Sequence, residues 1–162
     1  MNYWFLCKVS YTKELEDGTI KRMKDNYLTD ATTLTEAEAR MHEEVGRSMR
    51  GEFSVAAANR MNFVDVFTYP NVDNYYKCKI RYVTIDEAKG KEREVKNQVL
   101  IAADDLLDAH TRLTKEFSSM LVPYEIIEII KTPLVEVFRY KSPDERVTPN
   151  LRPISEIEEV EE

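Results

Sequence analysis

The sequence predicts an α+β protein made of two tandem copies of a ββαββ unit, with antiparallel sheets, two helices and pseudo-twofold symmetry. Three observations support this class. The chain resembles itself at an offset of 71 or 72 residues, each copy opens with alternating apolar and polar residues, and each continues with a helical apolar stripe. The first copy covers residues 2–69 and the second covers residues 74–140.

Ordered identities support the internal repeat. The recurring pairs include Cys7 and Cys78, Tyr11 and Tyr82, Gly18 and Gly90, Arg40 and Arg112, and Phe67 and Phe138. The offset changes only between predicted elements, where an extra residue disturbs a fold least. The short joint at residues 70–73 separates the two copies.

Each copy begins with a predicted hairpin. Residues 5–11 and 76–82 alternate apolar with polar side chains, as a half-buried strand does. Gly18 and Gly90 then supply a residue that tolerates positive φ in a tight loop. The returning strands are predicted at residues 23–29 and 95–101.

A helix and two further strands complete each copy. Thr33 followed by Glu36 fits a capping box, and Asp105 is an acidic N-cap for the second helix. The apolar stripes comprise Leu34, Ala37, Met41 and Val45 in the first helix, and Leu106, Ala109, Leu113 and Phe117 in the second. Third strands are predicted at residues 53–58 and 124–130, and fourth strands at residues 63–69 and 134–140.

The two copies are expected to form one compact body, because a domain of about 70 residues is only marginally stable alone. Residues 141–162 differ from both copies. They contain three prolines and carry three basic against seven acidic side chains, within a chain whose net charge is -7. We predict that this acidic tail is mobile and separate from the fold.

Composition and motifs exclude several classes of function. The chain has 162 residues, of which 43% are hydrophobic and 33% charged, and it contains neither a run of apolar residues long enough for a membrane span nor a secretory signal. We therefore expect a cytoplasmic protein with no membrane contact. The two cysteines and two histidines lack metal-ligand spacing, and no phosphate loop or nucleophile motif is present. These features predict no cofactor, no metal, no catalytic residue and no enzymatic activity.

The polar face of the two hairpins is the first candidate binding surface. Strand alternation places basic and amide side chains on one side of each hairpin. They are Lys8, Ser10, Lys24 and Asn26 in the first copy, and Lys77, Lys79, Arg81, Lys96 and Gln98 in the second. This face is either a solvated surface or a site for phosphates or for the acidic side of a partner.

The last strand of each copy is the second candidate. Val64 and Val66 are predicted to point one way, opposite an aromatic row that contains a carboxylate. The row is Phe63, Asp65, Phe67 and Tyr69, repeated as Leu134, Glu136, Phe138 and Tyr140. One interpretation is the interface between the copies, with both carboxylates in salt bridges; the alternative is a ligand groove or a homodimer surface.

Four segments carry a resemblance to a known family. They are residues 3–9 (YWFLCKV), 34–40 (LTEAEAR), 51–55 (GEFSV) and 76–80 (YKCKI). In them the chain resembles a family of small proteins with a domain of unknown function, encoded by Bacteroidetes-type bacteria and their phages or mobile elements. The resemblance covers residues 2–140. It implies a bacterial or phage origin and supplies no functional residues.

Together these features predict a non-enzymatic binding protein that acts through a protein partner. The alternative is a protein that binds a nucleotide or nucleic acid on the basic hairpin faces. The oligomeric state, the biological process and the identity of the partner are left open by the sequence.

Overall fold

The computed structural model describes residues 2–139, which form two helices and eight strands. In chain order they are β1 (Tyr3–Glu14), β2 (Ile20–Ala31), α1 (Leu34–Ser48), β3 (Phe53–Met61), β4 (Phe63–Phe67), β5 (Asn74–Asp86), β6 (Lys91–Ala103), α2 (Leu106–Glu116), β7 (Tyr124–Lys131) and β8 (Leu134–Phe138). The α+β class is confirmed. The predictions for Tyr140 and for the tail lie outside the described residues.

Both hairpins are longer than the alternation indicated. β1 and β2 pair in unbroken register from Tyr3 opposite Ala31 to Glu14 opposite Ile20, and β5 and β6 pair in the same way. The outer ends lie outside the buried core, and even the apolar Ile20, Val83 and Ile85 are exposed there. A pattern of buried residues therefore does not mark these ends, but hairpin pairing continues through them. Gly18 and Gly90 have φ values of 85° and 64°, as the loops require.

The helices begin where the capping residues predict. Thr33 Oγ1 accepts the backbone N–H of Glu36 at 3.1 Å, and Asp105 Oδ1 accepts that of Asp108 at 2.7 Å. The return contact reaches one residue further back than a capping box does, because the Glu36 carboxylate accepts the backbone N–H of Thr32.

The apolar stripes of the helices are buried except at their first positions and at Phe117, which is half-buried and lies just after the end of α2 and not within the helix as predicted. Ala37, Met41 and Val45 of α1, and Ala109 and Leu113 of α2, are buried. Leu34 and Leu106 are exposed because each is the first residue of its helix. Each stripe packs on the sheet of its own half.

The sheets are mixed, which corrects the prediction of antiparallel sheets. The first sheet has the order β3-β1-β2-β8 and the second has the order β4-β6-β5-β7. β8 pairs in parallel with β2, and β4 pairs in parallel with β6. The physical reason is a strand exchange: the last strand of each half leaves its own hairpin and completes the sheet of the other half.

The described side chains pack in three clusters. One lies between α1 and the first sheet, a second lies between α2 and the second sheet, and the third contains residues of both sheets. We call this third cluster, which includes Leu28, Val66, Tyr75, Leu100 and Leu134, the seam core. The molecule is therefore layered as helix, sheet, sheet and helix, and the two sheets face each other across the seam core.

Candidate functional site

A pocket of about 400 Å³ opens at the seam between the two sheets. It forms beside the two places where the chain changes sheet. The chain passes from the first sheet to the second between Met61 and Phe63, and it returns between Lys131 and Leu134. All four of these residues line the cavity, which we call the seam pocket.

Three lysines from three strands line the seam pocket: Lys8 on β1, Lys77 on β5 and Lys131 on β7. Lys77 is half-buried, and the other two are exposed. The ion pairs within residues 2–139 include none of the three. Their positive charges therefore face the cavity without a neutralising carboxylate from the described part of the chain.

Neutral polar groups stand beside these lysines. Asn26 lies directly opposite Lys8 in the β1–β2 register, and Asn59 and Thr132 also line the cavity. Thr132 is fixed in place because its hydroxyl donates to the carbonyl oxygen of Tyr75 at 2.8 Å. Amide side chains both donate and accept hydrogen bonds, so this part of the wall suits a peptide or a carboxylate.

The rest of the wall is apolar and mainly aliphatic. It is formed by Leu6, Leu28, Met61, Phe63, Ile130 and Leu134. Leu28 and Leu134 belong to the buried seam core, and Phe63 packs against it as the one aromatic ring that residues 2–139 contribute to the pocket. The pocket therefore combines an apolar floor with cationic groups, as ligand sites commonly do.

The second hairpin does not present the unpaired basic face that its sequence indicated. Lys79 Nζ lies 3.5 Å from a Glu128 carboxylate oxygen. Glu94 lies between the other two cations, with Arg81 Nε at 2.8 Å and Lys96 Nζ at 3.6 Å. Acidic residues of β6 and β7 thus compensate most of the positive charge on this face.

The remaining predicted polar residues lie away from the seam pocket. Lys24 lies opposite Ser10, whose hydroxyl oxygen accepts Arg22 Nε–H at 3.0 Å. Gln98 lies opposite Lys79. Of the nine candidate residues on the two basic faces, the pocket brings together Lys8, Asn26 and Lys77.

The aromatic row of the last strands is divided among the three core clusters. Phe63 packs on the seam core, whereas Phe67 and Tyr69 pack near α2 and Phe138 packs near α1. The cause in β4 is an irregularity in its pairing with β6 between Phe63 and Asp65. The same irregularity explains why Val64 is 60% exposed while Val66 is 2% exposed.

The two carboxylates of these strands are exposed rather than buried. Asp65 and Glu136 have no ion pair with another described residue, which differs from the salt bridges we expected. The Asp65 carboxylate accepts the backbone N–H of Val66 at 3.0 Å. Because water solvates both groups, neither needs a protein cation.

Sequence reasoning missed several residues of the pocket, above all Lys131, Asn59 and Thr132. Lys131 ends β7, beyond the alternating segment that marks the strand. Thr132 belongs to the return crossing between the sheets. Only the exchange of strands brings these positions beside Lys8, and no local pattern encodes that exchange.

The two cysteines lie in the helix-facing cores and not at the pocket. Both are free thiols with no exposed surface. Burial raises the pKa of Cys7 to about 11, helped by the Glu38 carboxylate, and burial raises that of Cys78 to about 12. Thiols with such pKa values stay protonated and unreactive near neutral pH.

The described residues contain no group of three or more His, Cys, Asp or Glu side chains that could hold a metal ion. Neither helix within residues 2–139 is long and apolar enough to cross a membrane.

The fold and the pocket define a class: an α+β protein with two facing mixed sheets and a lysine-lined pocket at their seam. The chain belongs to the DUF4494 family, a domain of unknown function, whose model matches residues 3–140. No curated protein matches the chain.

Proposed function

We propose that this chain is a non-enzymatic binding protein and that it binds a protein partner at the seam pocket. The observation that carries the proposal is the set of three lysines around an apolar cavity with no ion pair among the described residues. A half-buried ammonium such as Lys77 is costly to leave uncompensated, and an anionic partner supplies the missing charge.

Affinity capture from the source cells tests this function. The double variant Lys8→Glu, Lys77→Glu reverses two pocket charges. The control Lys13→Glu, Lys21→Glu reverses two exposed lysines that lie opposite each other at the outer end of the first hairpin. We expect one stoichiometric partner with the unmodified protein and the control, and its loss with the pocket variant. Capture by all three alike would reject the seam pocket as the binding site.

Binding of a nucleotide or nucleic acid is the second candidate. Phe63 supports it, because an aromatic ring beside lysines suits a base next to a phosphate. The ion pairs of Lys79, Arg81 and Lys96 weigh against an extended nucleic-acid track. Salt-dependent binding of labelled single-stranded DNA or ATP, reduced by Lys8→Glu with Lys77→Glu, is the result that this candidate requires.

We also propose that the chain arose by tandem duplication of a ββαββ unit with pseudo-twofold symmetry. The identical order of elements in residues 2–69 and 74–139 supports this, together with the sequence identities between the copies. The two halves are proposed to form one inseparable body, because each supplies an edge strand to the sheet of the other.

For its origin, we propose a bacterium, phage or mobile element, and for its location the cytoplasm. The origin is supported by the resemblance in the four segments named above. The location is supported by two buried cysteines that remain free thiols.

A further inference from the structure

We infer that the segment received by the seam pocket is an extended peptide that carries carboxylate and aliphatic side chains on the same face. The inference rests on the proposed function, that a protein binds at this pocket, and it names the chemistry of the bound segment. Three features of the pocket support it: the placement of its lysines on three strands, the apolar residues of its floor and the free strand edges beside it.

The three lysines of the pocket indicate that the bound segment carries more than one anionic group. Lys8, Lys77 and Lys131 stand on three different strands drawn from both sheets. A single carboxylate compensates one or two neighbouring ammonium groups, whereas cations on separate strands require acidic groups spaced along a ligand. Acidic side chains on one face of an extended peptide are separated in this way when an aliphatic side chain stands between them on the same face.

The floor calls for aliphatic groups. Branched or flexible aliphatic side chains come from Leu6, Leu28, Met61, Ile130 and Leu134, and Phe63 is the one aromatic side chain among the described residues of the lining. Recognition of bases relies on stacking against several aromatic or guanidinium planes. This lining favours the burial of leucine, isoleucine or valine side chains over that of a nucleobase.

The unpaired edges of strands beside the pocket indicate that the bound peptide has an extended backbone. β3 and β7 are edge strands, each paired on one side only among the described strands. Alternate residues of β3, namely Ala57, Asn59 and Met61, line the pocket. The irregularity in β3 pairing lies before Ala57, so this part of the edge is regular. A peptide strand added along it gains main-chain hydrogen bonds and directs every second side chain into the cavity.

Fluorescence anisotropy with the full-length protein tests this inference. The probe, called the Leu-Glu peptide, is a fluorescein-labelled peptide of four Leu-Ser-Glu-Ser repeats, which places leucine and glutamate on one face of an extended strand. Its control, called the Ser-Glu peptide, has serine in place of each leucine and carries the same charge. We expect the Leu-Glu peptide to bind at least about tenfold more tightly than the Ser-Glu peptide. Lys8→Glu with Lys77→Glu should weaken Leu-Glu binding by at least about tenfold, while Lys13→Glu with Lys21→Glu leaves it unchanged.

Equal binding of the two peptides would overturn the aliphatic requirement, and stronger competition by ATP than by unlabelled Leu-Glu peptide would assign the pocket to nucleotides. Lysine-dependent capture of a partner without peptide binding would overturn this inference and leave the proposed function standing. If neither partner capture nor peptide binding depends on Lys8 and Lys77, the proposed function and this inference are both rejected. Unchanged melting temperatures for the variants establish that the substitutions report on binding and not on folding.

Discussion

Thr132 bonds twice to the carbonyl oxygen of Tyr75, through its backbone N–H at 2.9 Å and through its hydroxyl at 2.8 Å. This contact ties the return crossing between the sheets to β5, the central strand that carries Lys77. The Thr132 hydroxyl also accepts the backbone N–H of Leu134 at 3.4 Å, where β8 begins. One side chain thus fixes a wall of the seam pocket and the entry of the exchanged strand.

Replacing Thr132 with valine should destabilise the protein by about 1 kcal/mol, because the substitution keeps the shape but removes a part-buried hydroxyl bond. Chemical denaturation of the variant and the unmodified protein measures the difference. The backbone N–H of residue 132 still bonds to Tyr75 in the variant, so the fold should be retained. Unchanged stability would show that the hydroxyl contact contributes nothing net.

Replacing Thr29 with valine should instead increase the stability of the protein. Thr29 is fully buried on β2, and its hydroxyl has no hydrogen-bond partner among the described residues. Thr29→Val removes an unsatisfied polar group and should stabilise the protein by about 1 kcal/mol, or raise Tm by about 3 °C. Ile101 stands two residues before the end of β6, as Thr29 does before the end of β2, and it is also fully buried. Destabilisation by valine would mean that the Thr29 hydroxyl is hydrogen-bonded in solution.

Stability should fall in alkali as the cysteines begin to ionise in the unfolded chain. The ordinary thiol pKa is 9.0, and burial raises those of Cys7 and Cys78 to about 11 and about 12 in the folded protein. The two buried thiols therefore contribute their full stabilisation of the folded protein below pH 9. This stabilisation is lost as the pH rises toward the pKa values of the folded protein. Each thiol should raise the unfolding constant by up to about tenfold per pH unit within that window.

The double variant Cys7→Val, Cys78→Val is the control for this pH dependence. Tyr27 remains in it, and burial raises the pKa of that phenol from 10.0 to about 12. Unfolding free energy measured between pH 8 and pH 11 should therefore start to fall about one pH unit later in the variant. Curves that fall together from pH 9 would show that the thiols are not responsible.

The two halves should fold only together. Fragments 1–71 and 72–140 each lack the strand that completes their own sheet, and Val66 of β4 is buried only when β4 lies beside β6. Circular dichroism should show poorly folded fragments separately and restored structure with a cooperative melt after mixing. A cooperative melt of either fragment as a monomer would identify that half as an independent domain.

Local signals in the sequence predicted the elements well. Gly18 and Gly90 marked the hairpin loops, and Thr33 and Asp105 marked the helix starts, because each acts on its immediate neighbours. The α+β class follows from these elements alone. Strand ends were underestimated where a hairpin continues past the last buried side chain.

Local signals could not predict the exchange of strands, because it pairs Asn26 with Leu134, a residue more than a hundred positions later in the chain. Because the exchange of strands was not predicted, the residues of the candidate site were not predicted to lie together. Lys8, Asn26 and Lys77 belonged to one predicted surface and Phe63 and Leu134 to another, yet all five line one pocket. Alternation places a residue on a face of its strand, but it does not reveal which strands meet across a seam.

The strand exchange also sets the order in which the newly made chain can reach its final form. The first sheet contains β8, so it stays open at one edge until the ribosome has translated past Phe138 and released that stretch from the exit tunnel. β4 is synthesised before β6, so it has no strand to pair with until β6 has been made. The first half therefore cannot finish folding during its own synthesis, and a translation product interrupted before β6 leaves both the β2 edge of the first sheet and the β4 strand unpaired and open to aggregation.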